Sequence, residues 1–524
     1  MAELQGSHYV AGAAEPGAGE VFFGFDPVKG EDLQPGYAEA SAEQVQRACE
    51  AAASAAAPFA ASEPSVRAAL LRDIGEGLKQ LGDELVHRVQ AETALPAARV
   101  EGERARTVMQ LNQFADLVEE GSWVDARIDH ADPARQPMPK PDLRRMYVPL
   151  GPVVVFGASN FPLAYSVAGG DTAPALAAGC PVIVKGHPAH PGTSELVGQV
   201  VHASVRKHGL PDGTFSLLHG RSHETGGALV AHDAVKAVGF TGSHAGGRAL
   251  FDLAGRRREP IPVFAEMGSA NPVVILPNAM KNRGGEIAEQ LAASALLAQG
   301  QFCTSPGLVM WLHGAGDEAF SVALRERLVS AKPGPTVHPT IRHGFERAMA
   351  DVSALPVEVA AAEVDPAGPA DVRAALLRAT PEAMLENERL RAEIYGPAVL
   401  GVGCRTDEEL AKVLDTLDGH LTATVHGDGD DFEQHGAVLD ALRRKVGRLI
   451  ANGVPTGVEV SPAMVHGGPY PAASDARFSA VGATSILRWV RPACWQDWPQ
   501  EQLPPELRDD NPRGIQRLVD GARG

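Results

Sequence analysis

Two kinds of apolar spacing divide the chain. From Ser41 to Gly121 apolar side chains recur at helical intervals, most clearly at Leu70, Leu71, Ile74, Leu78, Leu81 and Leu85. Ser41 followed by Glu43-Gln44 has the composition of a helix start. From Gly151 the pattern changes to short apolar runs separated by helical stretches. It predicts strands at 151–157, 181–185, 214–218 and 235–240, and helices at 172–178, 193–207, 225–231 and 246–254. Alternation at such short intervals implies βαβ crossovers and a parallel sheet. Further strands are expected at 261–265 and 272–276, where a second α/β unit begins and runs to about Gly453. Residues 1–36 are loosely patterned, with 22–27 readable as a short edge strand and turn. The Pro- and charge-rich stretch 129–149 reads as an extended arm, and 484–492 alternates enough for a strand. Beyond Trp498 the tail is polar, Pro-rich and expected to be peripheral.

At 524 residues the chain exceeds a single core, so two or three domains are expected. A formal charge of -18 argues against nucleic acid or an anionic membrane as the main partner. The five cysteines, at 49, 180, 303, 404 and 494, are widely spaced and form no CxxC pair. Neither a disulfide framework nor a zinc site is suggested, and a reducing, cytoplasmic location is expected. Met1 to Gln5 lack a secretion-signal pattern. No apolar run approaches the roughly 18 residues that a membrane span needs.

Against this background the stretch Gln299-Gly300-Gln301-Phe302-Cys303-Thr304-Ser305-Pro306 stands out. An Ala/Leu-rich helical run, 286–298, precedes it, Gly300 reads as a helix stop, and the apolar 307–312 follows as a strand. Cys303 thus lies in a tight connection among small and hydroxylated residues, whereas a structural cysteine more often sits within an apolar run. It is read as a nucleophile.

Other candidates follow strands. Gly239-Phe240-Thr241-Gly242-Ser243-His244 leads a strand through a Gly-rich turn into a helix, which can aim backbone N–H groups at a phosphate. An ordinary βα turn has the same composition. Lys185 closes a strand, where a nucleotide ribose or phosphate would bind. His187 and His190 follow in a loop with two prolines and no acidic partner, which favours anion contact or solvation over metal ligation. No metal site is expected. Asn160 could donate to an oxyanion or cap the next helix. Glu266, ending a strand before Met267-Gly268, is a candidate general base.

Together these segments resemble the aldehyde dehydrogenase superfamily over about residues 20–495. The family's motifs stand here as Ala158-Ser159-Asn160-Phe161-Pro162, Gly179-Cys180-Pro181-Val182-Ile183-Val184-Lys185, Phe240-Thr241-Gly242-Ser243, Glu266-Met267-Gly268, Gly300-Gln301-Phe302-Cys303 and Glu393-Ile394-Tyr395-Gly396-Pro397. The resemblance implies Cys303 as nucleophile, Glu266 as the base that activates water, and Asn160 with the Cys303 N–H as the oxyanion hole. It implies Lys185 and Glu393 at cofactor ribose hydroxyls and Gly242 and Ser243 at the pyrophosphate. Relatives that pass the acyl group to coenzyme A lack this base, so hydrolysis to the acid is expected. Cys180 is taken as structural.

One departure bears on the cofactor. NAD-preferring relatives commonly carry Glu three residues after the lysine, and here that position is Pro188. Losing the carboxylate removes repulsion against a 2′-phosphate, and His187, His190 and Arg221 are nearby candidates to bind it. NADP is therefore expected to be preferred, with NAD also accepted. Within the superfamily, the blocks 156–171, 185–192, 451–458 and His466-Gly467-Gly468-Pro469-Tyr470-Pro471 are similar to bacterial 2-oxoglutarate semialdehyde (2,5-dioxopentanoate) dehydrogenases. Long-chain aldehyde dehydrogenases using NADP are the alternative. The substrate's carboxylate needs a cationic or N–H-rich pocket. Residues 161–163 and 458–462 are expected to line it, and no arginine can be chosen from sequence.

The expected fold is α/β: a Rossmann-like cofactor domain (1–128 and 150–265), an α/β catalytic domain (266–470) and a small β arm (129–149 and 484–495). The arm would extend a partner's sheet in a homodimer or homotetramer. A non-enzymatic protein on this scaffold would have lost nucleophile or base, and both stand here. Thiol-protease chemistry would need a histidine beside Cys303, and none of the 18 histidines has a recognisable motif for that role.

Overall fold

The computed structural model describes residues 4–524. Its first sheet has seven strands, in spatial order Val263–Glu266, Ala237–Thr241, Val153–Phe156, Val182–Lys185, Phe215–Leu218, Ser7–Val10 and Ala13–Pro16. The first five are parallel. Their apolar runs are buried on both faces, as a sheet covered by crossover helices requires. Register sets Phe156 opposite both Lys185 and Phe240, and Thr241 opposite Glu266. Lys185 and Glu266 therefore lie along one carboxyl edge. The strand Val153–Phe156 has neighbours reached in opposite directions, which makes its end a switch point where such sheets bind ligands.

Helices Ala42–Ala60, Pro64–Gln80, Gly82–Thr93 and Ala97–Glu120 account for the N-terminal helical region. Ser41 and Gln44 form the reciprocal cap expected from their spacing. The apolar row at Leu70, Leu71, Ile74, Leu78 and Leu85 is buried in the largest core, but the helix it suggested is broken at Leu81–Gly82.

The second sheet orders Val357–Ala361, Ala375–Ala379, Ala398–Cys404, Leu308–Leu312, Val273–Ile275, His420–His426 and Val446–Ala451. All neighbours but Val357–Ala361 are parallel. A smaller sheet of five strands runs through Val490–Gln496, Leu143–Pro149, Arg127–Asp129, Leu518–Val519 and Ala522–Arg523. No helix among the described residues is long and apolar enough to cross a membrane.

Three local readings are corrected. The loosely patterned N-terminus supplies four strands, two of which join the first sheet: Ser7–Val10 pairs with Phe215–Leu218, and Ala13–Pro16 adds at the edge. Ser7–Val10 is held there because Glu195 accepts from the N–H groups of Gln5, Gly6 and Ser7 and from the Tyr37 hydroxyl. The stretch 484–492 is mostly a 3₁₀ turn, Ala483–Trp489, because Ile486, Arg488 and Trp489 turn into the core; the strand begins at Val490. The tail beyond Trp498 is integral rather than peripheral. Leu503, Leu507 and Ile515 are buried against the arm, and Arg144 binds the Leu507 carbonyl at 2.7 Å and the Asp509 carboxylate at 2.6 Å.

Candidate active site

The helix Pro277–Leu296 ends just before the cysteine loop. Ala298 (φ 47), Gln299 (φ 55) and Gly300 (φ 68) then occupy left-handed conformations in succession. At Gly300 an added Cβ would lie 2.2 Å from the Gly396 carbonyl oxygen, so only glycine fits the close approach. This costly turn delivers Cys303 to the wall of a pocket. The pocket is lined by Arg106, Asn160, Phe161, Tyr165, Thr241, Glu266, Phe302, Cys303, Thr304, Gly457, Val458 and His466. All three expected catalytic residues meet there, as do Phe161 and Val458 from the segments expected to contact substrate.

Two braces hold the loop. Asn160 Nδ2 donates to the Gln301 carbonyl at 3.0 Å, leaving its second hydrogen for the pocket. Asn271, fully buried at φ 46, donates Nδ2 to the carbonyls of Cys303 (2.8 Å) and Ser305 (2.9 Å) and accepts from Ser269 and Thr422. Behind the Asn160 turn, buried Glu103 accepts from the N–H groups of Leu163 (2.8 Å) and Ala164 (2.9 Å). Sequence reading missed Asn271 and Glu103, whose partners are distant in the chain.

It also missed His466. No motif marked a histidine for Cys303, yet His466 Nε2 lies 3.4 Å from Cys303 Sγ and 3.0 Å from Glu266 Oε1. One donor atom from each of the three lies within 4.8 Å of the others. The strand that ends in Glu266 is the reason. Met267 donates to the Ala472 carbonyl (2.8 Å) and Ser474 to the Ala265 carbonyl (2.9 Å), so the chain after His466 runs back along the first sheet. The only sequence signal was a histidine opening a Gly- and Pro-rich turn.

Burial, then the charge of Glu266, push the Cys303 thiol well above its ordinary range, and Arg106 offsets part of this. Burial would raise Glu266 too, but attraction to His466 and Arg488 holds it below its usual value. Cys303 thus rests as a thiol beside a carboxylate. Oε1 of Glu266 faces His466 Nε2 at 3.0 Å, while Oε2 has no aligned donor among the described residues and is open to a proton.

The expected cofactor residues lie along the same edge. Lys185 is a buried cation without an ion pair among the described residues; burial lowers it to about 8, with Glu39 opposing. Burial raises Glu393 to about 7, and Gly268 lets it come close, since a Cβ there would lie 2.4 Å from Glu393 Oε2. A buried cation with no ion-pair partner in contact and an exposed helix start fit a dinucleotide's hydroxyls and phosphates. Gly242 spends its own N–H on the Glu266 carbonyl, and Ser243 caps the helix His244–Gly255 through Gly246. The N–H groups of His244 and Ala245 are the first left open to an anion. Around Pro188, burial drives His187 well below its ordinary value, so it can offer hydrogen bonds but no charge. Its partner His190 uses Nε2 on the Ala158 carbonyl and contacts Ser194 with Nδ1. Arg221 is exposed, close enough to His338 to depress it after burial. The Glu39 carboxylate is taken up by Arg221 N–H and by Ser222.

The aldehyde dehydrogenase family profile matches residues 17–469. An alpha-ketoglutaric semialdehyde dehydrogenase 2 from Azospirillum brasilense is 48% identical over 99% of both chains. An alpha-ketoglutaric semialdehyde dehydrogenase from Acinetobacter baylyi is 40% identical over 95% of each. Among solved structures, the aldehyde dehydrogenase KauB from Pseudomonas aeruginosa superposes with a TM-score of 0.80 at 20% identity, covering 94% of this chain and 97% of that one. With its motifs, fold and nearly full-length relatives in agreement, the chain belongs to the aldehyde dehydrogenase family.

Proposed function

We propose that the protein oxidises 2-oxoglutarate semialdehyde (2,5-dioxopentanoate) to 2-oxoglutarate, with NADP preferred over NAD. The substrate is the one for which the Azospirillum and Acinetobacter relatives are named. The observation that carries the reaction type is the meeting of Cys303, His466 and Glu266 within 4.8 Å on one pocket wall.

Because Cys303 rests as a thiol, attack requires a proton acceptor. His466 Nε2, at 3.4 Å, takes that proton as the sulfur adds to the aldehyde carbon. Glu266 Oε1, 3.0 Å away, stabilises the resulting imidazolium. The free hydrogen of Asn160 Nδ2 and the Cys303 N–H hold the hemithioacetal oxygen. A bound nicotinamide cofactor would supply the hydride acceptor for that carbon, and Cys303 would then carry the acyl group as a thioester. Glu266 then takes a proton from water, which hydrolyses the thioester.

Lys185 and Glu393 would hold ribose hydroxyls, and the Gly242–Ser243 turn the pyrophosphate. NADP preference is supported by Pro188 in place of a carboxylate, by Arg221 nearby, and by the occupation of Glu39 with backbone and serine donors. The edge strand Val490–Gln496 suits pairing in a homodimer or homotetramer. The test is a panel of dioxopentanoate, pentanal and decanal with NADP and with NAD, using Cys303→Ala as the blank. A preference for decanal refutes the substrate, and a strong NAD preference refutes the cofactor reading.

A further inference from the structure

The geometry points to Arg106 as the residue that binds the carboxylate of the substrate and so selects short aldehydes that end in an acid. This assignment rests on the substrate proposed above.

On the helix Ala97–Glu120, residues 99, 103, 106 and 110 share one face by helical spacing, and that face meets the Asn160–Tyr165 turn. Two of its charged groups are committed. Glu103 is consumed by the N–H groups of Leu163 and Ala164. Arg99 pairs with Glu103 at 3.2 Å and lies over the rings of Phe161 (4.5 Å) and Phe302 (5.2 Å). Arg106 lines the same pocket as Cys303 and Asn160. It makes no hydrogen bond or ion pair with any described residue, and its Nε is buried without a partner.

Another arginine near the cysteine is excluded by its bonds. Arg448 donates Nη2 to the Pro455 carbonyl (2.7 Å) and Nη1 to the Gly457 carbonyl (3.0 Å), so it holds the loop that carries Val458. Among the described residues, Arg106 alone offers an uncommitted guanidinium to the pocket. Its charge reaches the reaction centre, since it offsets the rise imposed on Cys303 by burial and Glu266.

Arg106 is half-buried, and its Nε is cut off from water without a partner; a carboxylate entering the pocket would pair the guanidinium in a forked, charge-assisted contact. The substrate's acid end would provide that pair while its aldehyde end reaches Cys303. An alkyl aldehyde of equal length would leave Arg106 unpaired. Sites that reject substrates by leaving a polar group unsatisfied discriminate more sharply than apolar walls do.

The test compares kcat and KM for 2,5-dioxopentanoate and pentanal in the full-length protein, R106L and R106K, with thermal melting to check folding. The wild type should favour dioxopentanoate. In R106L the dioxopentanoate-to-pentanal ratio of kcat/KM should fall by about 100-fold, the scale of a lost charge-assisted pair, chiefly through KM. R106K should fall between. A preferring wild type whose ratio is unmoved in folded R106L, or whose two substrates lose kcat equally, overturns the assignment of Arg106 and leaves the substrate reading standing. A wild type with no preference for dioxopentanoate overturns the substrate reading, and the assignment with it.

Discussion

His466 Nε2 stands 3.4 Å from Cys303 Sγ. A buried imidazole at that distance from a half-buried thiol gives the sulfur a route to ionise that an existing thiolate does not provide. His466→Gln should therefore slow both turnover and alkylation of Cys303 by iodoacetamide near neutral pH, by about 10²-fold as for other proton-transfer groups. An unchanged alkylation rate would remove His466 from the first step.

Glu266→Gln should split the two half-reactions. Alkylation of Cys303 by iodoacetamide should slow less than in His466→Gln, because losing the charge that raises the thiol offsets losing the support for the imidazolium. Steady-state turnover should nevertheless fall by about 10²-fold or more, because thioester hydrolysis loses its base. Rapid-mixing absorbance should show a burst of reduced cofactor followed by a slow phase; equal losses in burst and steady state would count against the assignment.

For Asn160→Ala the expected loss in kcat is about 10²–10³-fold, the range for a single oxyanion donor. KM should change little. Because Asn160 also binds the Gln301 carbonyl, the melting temperature should be measured alongside. A large drop in melting with unaltered kcat would make this a structural asparagine.

Asn271→Ala should destabilise the protein by about 2–3 kcal/mol, since buried carbonyls and hydroxyls lose their partner and alanine must adopt φ 46. Thermal or denaturant unfolding would detect this, and a neutral effect would mean that the Cys303 loop is held by other contacts.

Cofactor affinity should have a narrow pH window. Glu393, raised to about 7, loses its acceptor charge as pH falls through that value, and Lys185, lowered to about 8, loses its cation as pH rises through it. Affinity by fluorescence titration should peak between them. E393Q should abolish the acid limb only; a flat profile would separate these groups from the cofactor.

The first sheet was legible because its parallel strands are buried on both faces and so appear as unbroken apolar runs. Cys303, Glu266, Asn160 and Lys185 were legible because each closes or follows such a run. Ser7 and His8 were not, since buried polar residues in a strand carry no apolar signature and are satisfied by Glu195 or by backbone far along the chain. The tail escaped notice for a similar reason: Arg144, a charged residue, anchors it from inside. His466 depends on a pairing between 472–474 and the strand Val263–Glu266, and spacing within either segment does not reveal it.

That return of the chain along the first sheet also limits how the enzyme can move. The imidazole is tethered to the strand that bears the carboxylate, so a wide hinge opening would dismantle the proton-transfer apparatus at every turnover. Exchange of reactants and products must then rely on small displacements of loops and side chains at the pocket mouth.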